Sequence, residues 1–218
     1  MTLAIFDLDN TLLAGDSDHA WNEFLVEEGI VDAETYKHAN DQFYQDYING
    51  DLDIFRYLRF ALEPLSLHEP QVLEQWRVRF LDHKIRPMLQ AKATALLEHH
   101  RKQGHTLMII TATNRFVTEP VARVLDIEHL IATNPEIVNG RYTGSVEGIP
   151  SFQDGKVTRL LEWLDEHQRT LEGAWFYSDS HNDLPLLKQV THPVAVDPDP
   201  TLAAHAEKHG WDIISLRD

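Results

Sequence analysis

The chain contains no cysteine, which excludes a disulfide framework, a thiolate metal site and a cysteine nucleophile. Positive charge is scarce: 19 Lys and Arg stand against 35 Asp and Glu, a net charge of −16. A surface this acidic repels phosphate backbones and anionic lipid, so neither nucleic acid nor a membrane is an expected partner. No apolar run approaches the roughly 20 residues that a bilayer span needs. The opening MTLAIFDLDNT places no basic residue ahead of its short apolar run, so it is not expected to act as a secretion signal, and the cytoplasm is the expected location. Glycine and proline, ten of each, are too few for a low-complexity chain. What remains is a globular composition, 43% hydrophobic and 25% charged over 218 residues. That length suits one domain with an accessory module.

Four short apolar runs read as buried strands: Leu3–Phe6, Leu107–Ile110, Ala174–Tyr177 and Pro193–Val196. Helical patterns lie between the later three, over Met88–Lys102, Arg115–Leu125 and Lys156–His167. Alternating strands and helices predict an α/β fold with a parallel sheet covered on both faces. Glu136–Ile149, turning at Asn139-Gly140, reads as a β-hairpin excursion. Residues 15–85 contain no strand pattern, only helical ones: Asp18–Glu28, Ala33–Ile48, Ile54–Leu62 and Pro70–His83. The organisation expected is a core of 1–14 and 86–218 with a helical cap at 15–85.

Three strands end in polar residues. Leu3–Phe6 runs into Asp7-Leu8-Asp9-Asn10-Thr11, Leu107–Ile110 into Thr111-Ala112-Thr113-Asn114, and Ala174–Tyr177 into Ser178-Asp179-Ser180-His181-Asn182-Asp183. In an open parallel sheet the ligand crevice lies outside those strand ends. Four converging carboxylates cannot all stay ionised without a cation, and an oxygen-rich site suits Mg²⁺ with a substrate phosphate. Taken singly, each residue has a plainer role, as a turn former, a helix cap or a solvated lysine. His205 and His209, spaced i, i+4, lack an obvious third metal ligand.

Together these residues resemble the haloacid dehalogenase superfamily of phosphohydrolases. Its DxDx[TV] motif matches DLDNT at Asp7–Thr11, and its strand-ending Ser or Thr matches Thr111. Its later Lys matches Lys156 in FQDGKV, and its last acidic motif matches Asp179 and Asp183 in SDSHND. The helical insert between the first two motifs resembles the phosphoserine-phosphatase-like branch. The pattern DLDNTLLAGDSD with TATNRFVTEP is similar to bacterial proteins labelled histidinol-phosphate phosphatases. The resemblance implies a Rossmann-like parallel sheet core with an inserted helical cap, Mg²⁺ as cofactor and a small phosphorylated metabolite as substrate. It implies Asp7 as nucleophile, forming an aspartyl-phosphate, and Asp9 as the acid and then the base. Metal ligands would be Asp7, the Asp9 carbonyl and Asp179, with Asp183 in support. Thr111 and Lys156 would hold the phosphoryl oxygens, and Asn182 would orient carboxylates or touch the phosphoryl group. Candidates for substrate contact are Asp16, Thr113, Asn114 and Arg59, with Arg56 as an alternative to the last and His181 in reach.

A receiver domain also phosphorylates an aspartate, but it has no place for the cap. A dehalogenase has no need of Asp9, because a departing halide takes no proton. A phosphotransferase would keep both aspartates. Residues 15–85 carry 15 acidic and 6 basic residues and 11 of the 20 aromatics. An acidic, aromatic cap underside favours a cationic or imidazole-bearing leaving group, and a carboxylate-bearing one would need Arg59 or Arg56.

Overall fold

A computed structural model describes residues 2–217. Its centre is β1 (Leu3–Phe6), four wholly buried apolar residues. β1 pairs in parallel with β2 (Thr106–Asn114) on one side and β5 (Trp175–Ser178) on the other, Phe6 lying opposite Ile109 and Tyr177. Outward from β2 come β3 (His129–Val138) and antiparallel β4 (Arg141–Glu147); outward from β5 come β6 (His192–Val196) and β7 (Asp212–Ile214). The order β4-β3-β2-β1-β5-β6-β7 gathers the carboxyl ends of β1, β2 and β5 at one place, where a doubly wound sheet binds its ligand.

The cap holds α1 (Ser17–Glu27), α2 (Ala33–Asn49), α3 (Ile54–Leu67) and α4 (Pro70–Phe80). The core adds the short α5 (Arg86–Met88), then α6 (Ala91–Lys102), α7 (Arg115–Val124), α8 (Asp154–Glu166), the single turn α9 (Leu184–Leu187) and α10 (Pro200–His209). Aspartates start three of the four cap helices. Asp16 accepts hydrogen bonds from the Asp18 and His19 amides, Asp32 from Thr35, and Asp53 from Phe55 and Arg56. Cap and core share one apolar cluster. Trp21 of α1 packs edge-on against Phe80 of α4 and Phe116 of α7, and Phe24 meets Phe80. α1 and α4 pack on the core through this cluster, Leu62 and Leu65 of α3 belong to it as well, and α2 and α3 reach over the strand ends.

Several boundaries differ from expectation. The second strand extends through Thr111 to Asn114, and β7 was not foreseen, being only three residues long. The hairpin's first strand starts at His129 and joins the main sheet before turning to β4, so it is no detached excursion. α3 runs through Pro64 to Leu67 instead of ending at Leu62. Proline removes the amide that would bond the Phe60 carbonyl, and the Tyr36 hydroxyl donates to that carbonyl at 3.5 Å. No described helix is long and apolar enough to cross a membrane.

Gly155 opens α8 one residue before Lys156. A Cβ there would lie 2.1 Å from the Pro150 carbonyl oxygen, whereas at Gly104, with φ of 73°, it would meet nothing within 4 Å. Overpacking against backbone costs about 1–3 kcal/mol. Gly155→Ala is therefore expected to lower the urea midpoint more than Gly104→Ala, which strains only a left-handed φ. Equal losses in a denaturation series would contradict this packing.

Candidate active site

Asp7 leaves β1 with its amide bonded to the Tyr177 carbonyl at 2.9 Å. The chain then turns sharply through Leu8–Leu12, where Asn10 takes a φ of 55°. Arg217 braces this turn, donating to the Asn10 carbonyl at 2.7 Å and the Leu13 carbonyl at 3.1 Å. The turn brings Asp9 back towards β2. Its Oδ2 accepts from Thr113 Oγ1 at 2.8 Å and Thr111 Oγ1 at 3.3 Å, and its Oδ1 accepts from the Ser17 amide at 2.7 Å. The Asp9 carboxylate thus bridges the end of β2 and the first turn of α1.

Lys156, 3% exposed, projects from the first turn of α8 between two aspartates. Its Nζ donates to Asp7 Oδ1 at 2.7 Å and to Asp183 Oδ2 at 2.8 Å. The Ser178 hydroxyl donates to the same Asp183 oxygen at 2.7 Å. Burial alone would lower the Lys156 ammonium, but Asp183 and Asp7 outweigh it and hold the group above its ordinary value. Asp179 is tied to the first motif: the Thr11 hydroxyl donates to its Oδ1 and accepts from its amide, both at 3.1 Å.

Four carboxylates here face one ammonium. Burial lifts the Asp7 carboxyl well above the carboxylate range; Lys156 opposes this, while Asp183, Asp179 and Asp9 add to it. Burial, with Asp183 adding, pushes Asp179 up to about 7 against Thr11 and Lys156. Uncompensated negative charge on hard oxygen donors is what a divalent cation relieves. Among the described residues no three His, Asp or Glu side chains converge as a metal cage. Mg²⁺ needs no such cage, because it takes one or two carboxylates and keeps water and phosphate in its other positions. Asp7 and Asp179 are carboxylates of this kind.

Above Asp7 and Asp9 lies a cavity. Asp16, Asp18, His19, Tyr44, Tyr47 and Tyr57 form its cap side, and Thr111, Thr113 and Phe152 its core side. His19 stacks obliquely on Tyr44 at 4.9 Å, and Tyr47 faces Phe152 at 6.2 Å. None of the described lining residues is Lys or Arg.

The structure brings together Asp7, Asp9, Thr111, Thr113, Lys156, Asp179 and Asp183, and sets Asp16 in the cavity wall. Other expectations need correction. Arg59 is exposed and does not line the cavity: Tyr57 faces in, and two residues further along a helix the side chain points away. Arg56 is also exposed, with its guanidinium over the Phe43 ring. Asn114 caps α7 through the Val117 amide and reaches Asp18 at 3.4 Å, so it holds structure and does not line the cavity. Asn182 joins cap to core, donating to the Tyr47 carbonyl at 3.2 Å and accepting from Gln153 at 2.9 Å. Asp183 accepts from Lys156 and Ser178. His181 bonds Asp199 at 2.8 Å and lines an adjoining cleft that shares Tyr44 and Tyr47 with the cavity and includes Asp179. His205 and His209 stack on each other as surface residues of α10. Asp18, Ser178 and Gln153 were not singled out from sequence.

Removing Lys156 would leave Asp7 and Asp183 buried and unpaired, an imbalance that typically costs about 3–5 kcal/mol. Lys156→Met is expected to lose stability of that order in EDTA at pH 8. Part should return as pH falls, because the orphaned Asp7 carboxyl, which burial already holds well above the carboxylate range, takes up a proton more readily in the folded state. Denaturation at several pH values checks this; a loss that does not depend on pH would contradict it.

Residues 4–188 match the family model of haloacid dehalogenase-like hydrolases. The chain is 42% identical over 219 residues to a histidinol-phosphatase of Neisseria meningitidis serogroup C (strain 8013), covering 99% of each. It is similar to a crystal structure of a protein of unknown function from Bordetella pertussis Tohama I, at 42% identity and a TM-score of 0.94 over 100% of both chains. A substrate-bound phosphoserine phosphatase shares the fold, with a TM-score of 0.72 at 17% identity over 99% of this chain and 93% of that one. With a family match across most of its length, and the four motifs assembled at one set of strand ends, this chain belongs to the haloacid dehalogenase-like hydrolase family.

Proposed function

We propose that this protein is a Mg²⁺-dependent phosphomonoesterase that hydrolyses a small phosphorylated metabolite through an aspartyl-phosphate. Its substrate in this reading is an amine-bearing alcohol phosphate such as histidinol phosphate. The observation that carries the substrate is the cavity wall: two carboxylates and three tyrosines over Asp7, with no Lys or Arg among the described lining residues. Such a wall attracts a cationic, ring-bearing leaving group and disfavours a carboxylate. The similar Neisseria protein named histidinol-phosphatase supports the same choice.

In this mechanism an Asp7 carboxylate oxygen attacks phosphorus in line, forming the aspartyl–phosphorus bond as the ester P–O bond breaks. Asp9 gives its proton to the departing alkoxide. It then takes a proton from water, whose oxygen attacks phosphorus, releasing inorganic phosphate and restoring Asp7. Lys156 fixes the Asp7 oxygen it holds and offsets charge on the phosphoryl oxygens. Thr111 and Thr113 aim Asp9, and their hydroxyls can turn towards a bound phosphate. Mg²⁺, held by Asp7, Asp179 and the Asp9 carbonyl, would supply the positive charge that lets an anionic nucleophile meet an anionic ester. α2 and α3, closing over the strand ends, keep bulk water from the site.

EDTA is expected to abolish hydrolysis and Mg²⁺ to restore it, with Ca²⁺ a poor substitute because its longer, more numerous bonds misplace the reacting groups. Undiminished turnover in metal-free buffer would overturn the site. Asp7→Asn should leave no measurable turnover, while Asp9→Asn falls by roughly 10²–10⁴-fold, the range typical of lost acid–base help. An Asp7→Asn enzyme retaining a tenth of the activity would exclude the covalent route.

Side by side, histidinol phosphate should exceed phosphoserine in kcat/KM by at least about tenfold, the equivalent of about 1.4 kcal/mol against the added carboxylate. A preference for phosphoserine, lost in Arg59→Ala, would reverse the substrate assignment.

A further inference from the structure

α1 presents two carboxylates to the cavity, and their surroundings differ. Asp16 Oδ1 accepts from the Asp18 and His19 amides, both at 2.9 Å, so this side chain is committed to capping α1. Asp18, one helical position inside that cap, is 6% exposed and lines the same cavity. The groups that contact its carboxylate are neutral, the Tyr57 hydroxyl and Asn114 at 3.4 Å, while Asp9 and Asp16 add negative charge nearby. A first-turn aspartate is ordinarily explained by the helix dipole, which an exposed side chain serves as well. Burying a second carboxylate, where the first already caps the helix, is costly unless a charge partner arrives.

We propose that Asp18, steadied by Tyr57, is the residue that selects a protonated nitrogen on the leaving group, while Asp16 holds the helix that carries it. This rests on the phosphatase reading above and deepens it. Burial pushes the Asp18 carboxyl up to about 7, with Tyr57 opposing and Asp9 adding, and a cation bound beside it reverses that penalty. The cavity supplies the rest of the recognition. Tyr44, Tyr47, Tyr57 and Phe152 surround the space next to Asp18 and match a flat ring or an alkyl ammonium. His19 lines the same wall and stacks on Tyr44.

The test compares three substrates within each enzyme: histidinol phosphate, its analogue lacking the amine, and its analogue with phenyl in place of imidazole. Wild type should prefer histidinol phosphate over at least one analogue, and the analogue that loses identifies which nitrogen is read. In Asp18→Asn, a near-isosteric change, that kcat/KM ratio is expected to collapse by roughly tenfold to a hundredfold, the loss typical of a hydrogen bond to a charged group. Because the ratio is taken within one variant, a general loss of fold or turnover cancels. In Asp16→Asn the ratio should survive, since asparagine caps a helix about as well as aspartate. An unchanged ratio in Asp18→Asn, or a collapse in Asp16→Asn alone, would overturn the proposal. A wild type that hydrolyses all three equally contradicts the cationic-substrate reading and this inference with it. One that hydrolyses none of them fails at the level of the proposed phosphatase.

Discussion

One buried ammonium between two buried carboxylates organises this molecule. Lys156 comes from α8, Asp7 from the end of β1 and Asp183 from the turn after β5, so their contacts at 2.7 and 2.8 Å join three elements far apart in sequence. The price of burying such charges is high, and it is met only when each oxygen has a partner. Ser178 on Asp183, Thr11 on Asp179, and the Thr111, Thr113 and Ser17 donors on Asp9 supply those partners. Even so, the site keeps an excess of negative charge, which adds to the burial that raises Asp7 and Asp179. In the proposed function, that excess is what a divalent cation and a phosphate ester together would neutralise.

The cap is more than a cover. Its first helix begins where Asp9 ends, and the Ser17 amide at that helix start holds the Asp9 carboxylate. The aromatic cluster of Trp21, Phe24, Phe80 and Phe116 then fixes α1 and α4 against the core. α2 and α3 are tied in as well: α3 packs along β4 and places Leu62 and Leu65 in the shared apolar cluster. Asn182 bonds the Tyr47 carbonyl, and its other amide atom accepts from Gln153, one turn before Lys156. The proposed division of labour follows: α1 sets the acid–base residue, and α2 and α3, with Tyr44, Tyr47 and Tyr57, enclose the leaving group.

The legible parts of the sequence were those where local pattern and chemistry coincide. The four strands read from the sequence are short apolar runs, and Asp7 and Thr111 follow such runs directly, with Asp179 one residue further on, so strand ends and site residues could be read together. Lys156 was placed by its motif and by the helical pattern that it opens. Arg59 shows where this fails. A charged residue in a helix can be read as a ligand only once the inward face is known, and Tyr57 facing the cavity sets Arg59 outside. Asn114 and Asn182 have side chains suited to substrate, yet helix capping and cap docking use them, and both roles depend on contacts remote in sequence. Asp18 was hidden by the opposite error. As an acidic residue in a helix's first turn it looks like ordinary dipole compensation, and only its burial beside Tyr57 sets it apart. Pro64 marked a helix end in the sequence, but the Tyr36 hydroxyl supplies the hydrogen bond that lets α3 continue.

The account stands on Asp7 as the atom donor to phosphorus, and the direct measurement is chemical. Enzyme turning over histidinol phosphate with Mg²⁺ is quenched in acid within milliseconds, digested and mapped by mass spectrometry for acyl phosphate. The account predicts a phosphoryl group on the peptide containing Asp7, on the Asp7 carboxylate, labile to hydroxylamine and absent from Asp7→Asn. Rapid turnover with no phosphoryl-enzyme at any quench time, or with the group on a different residue, would contradict it.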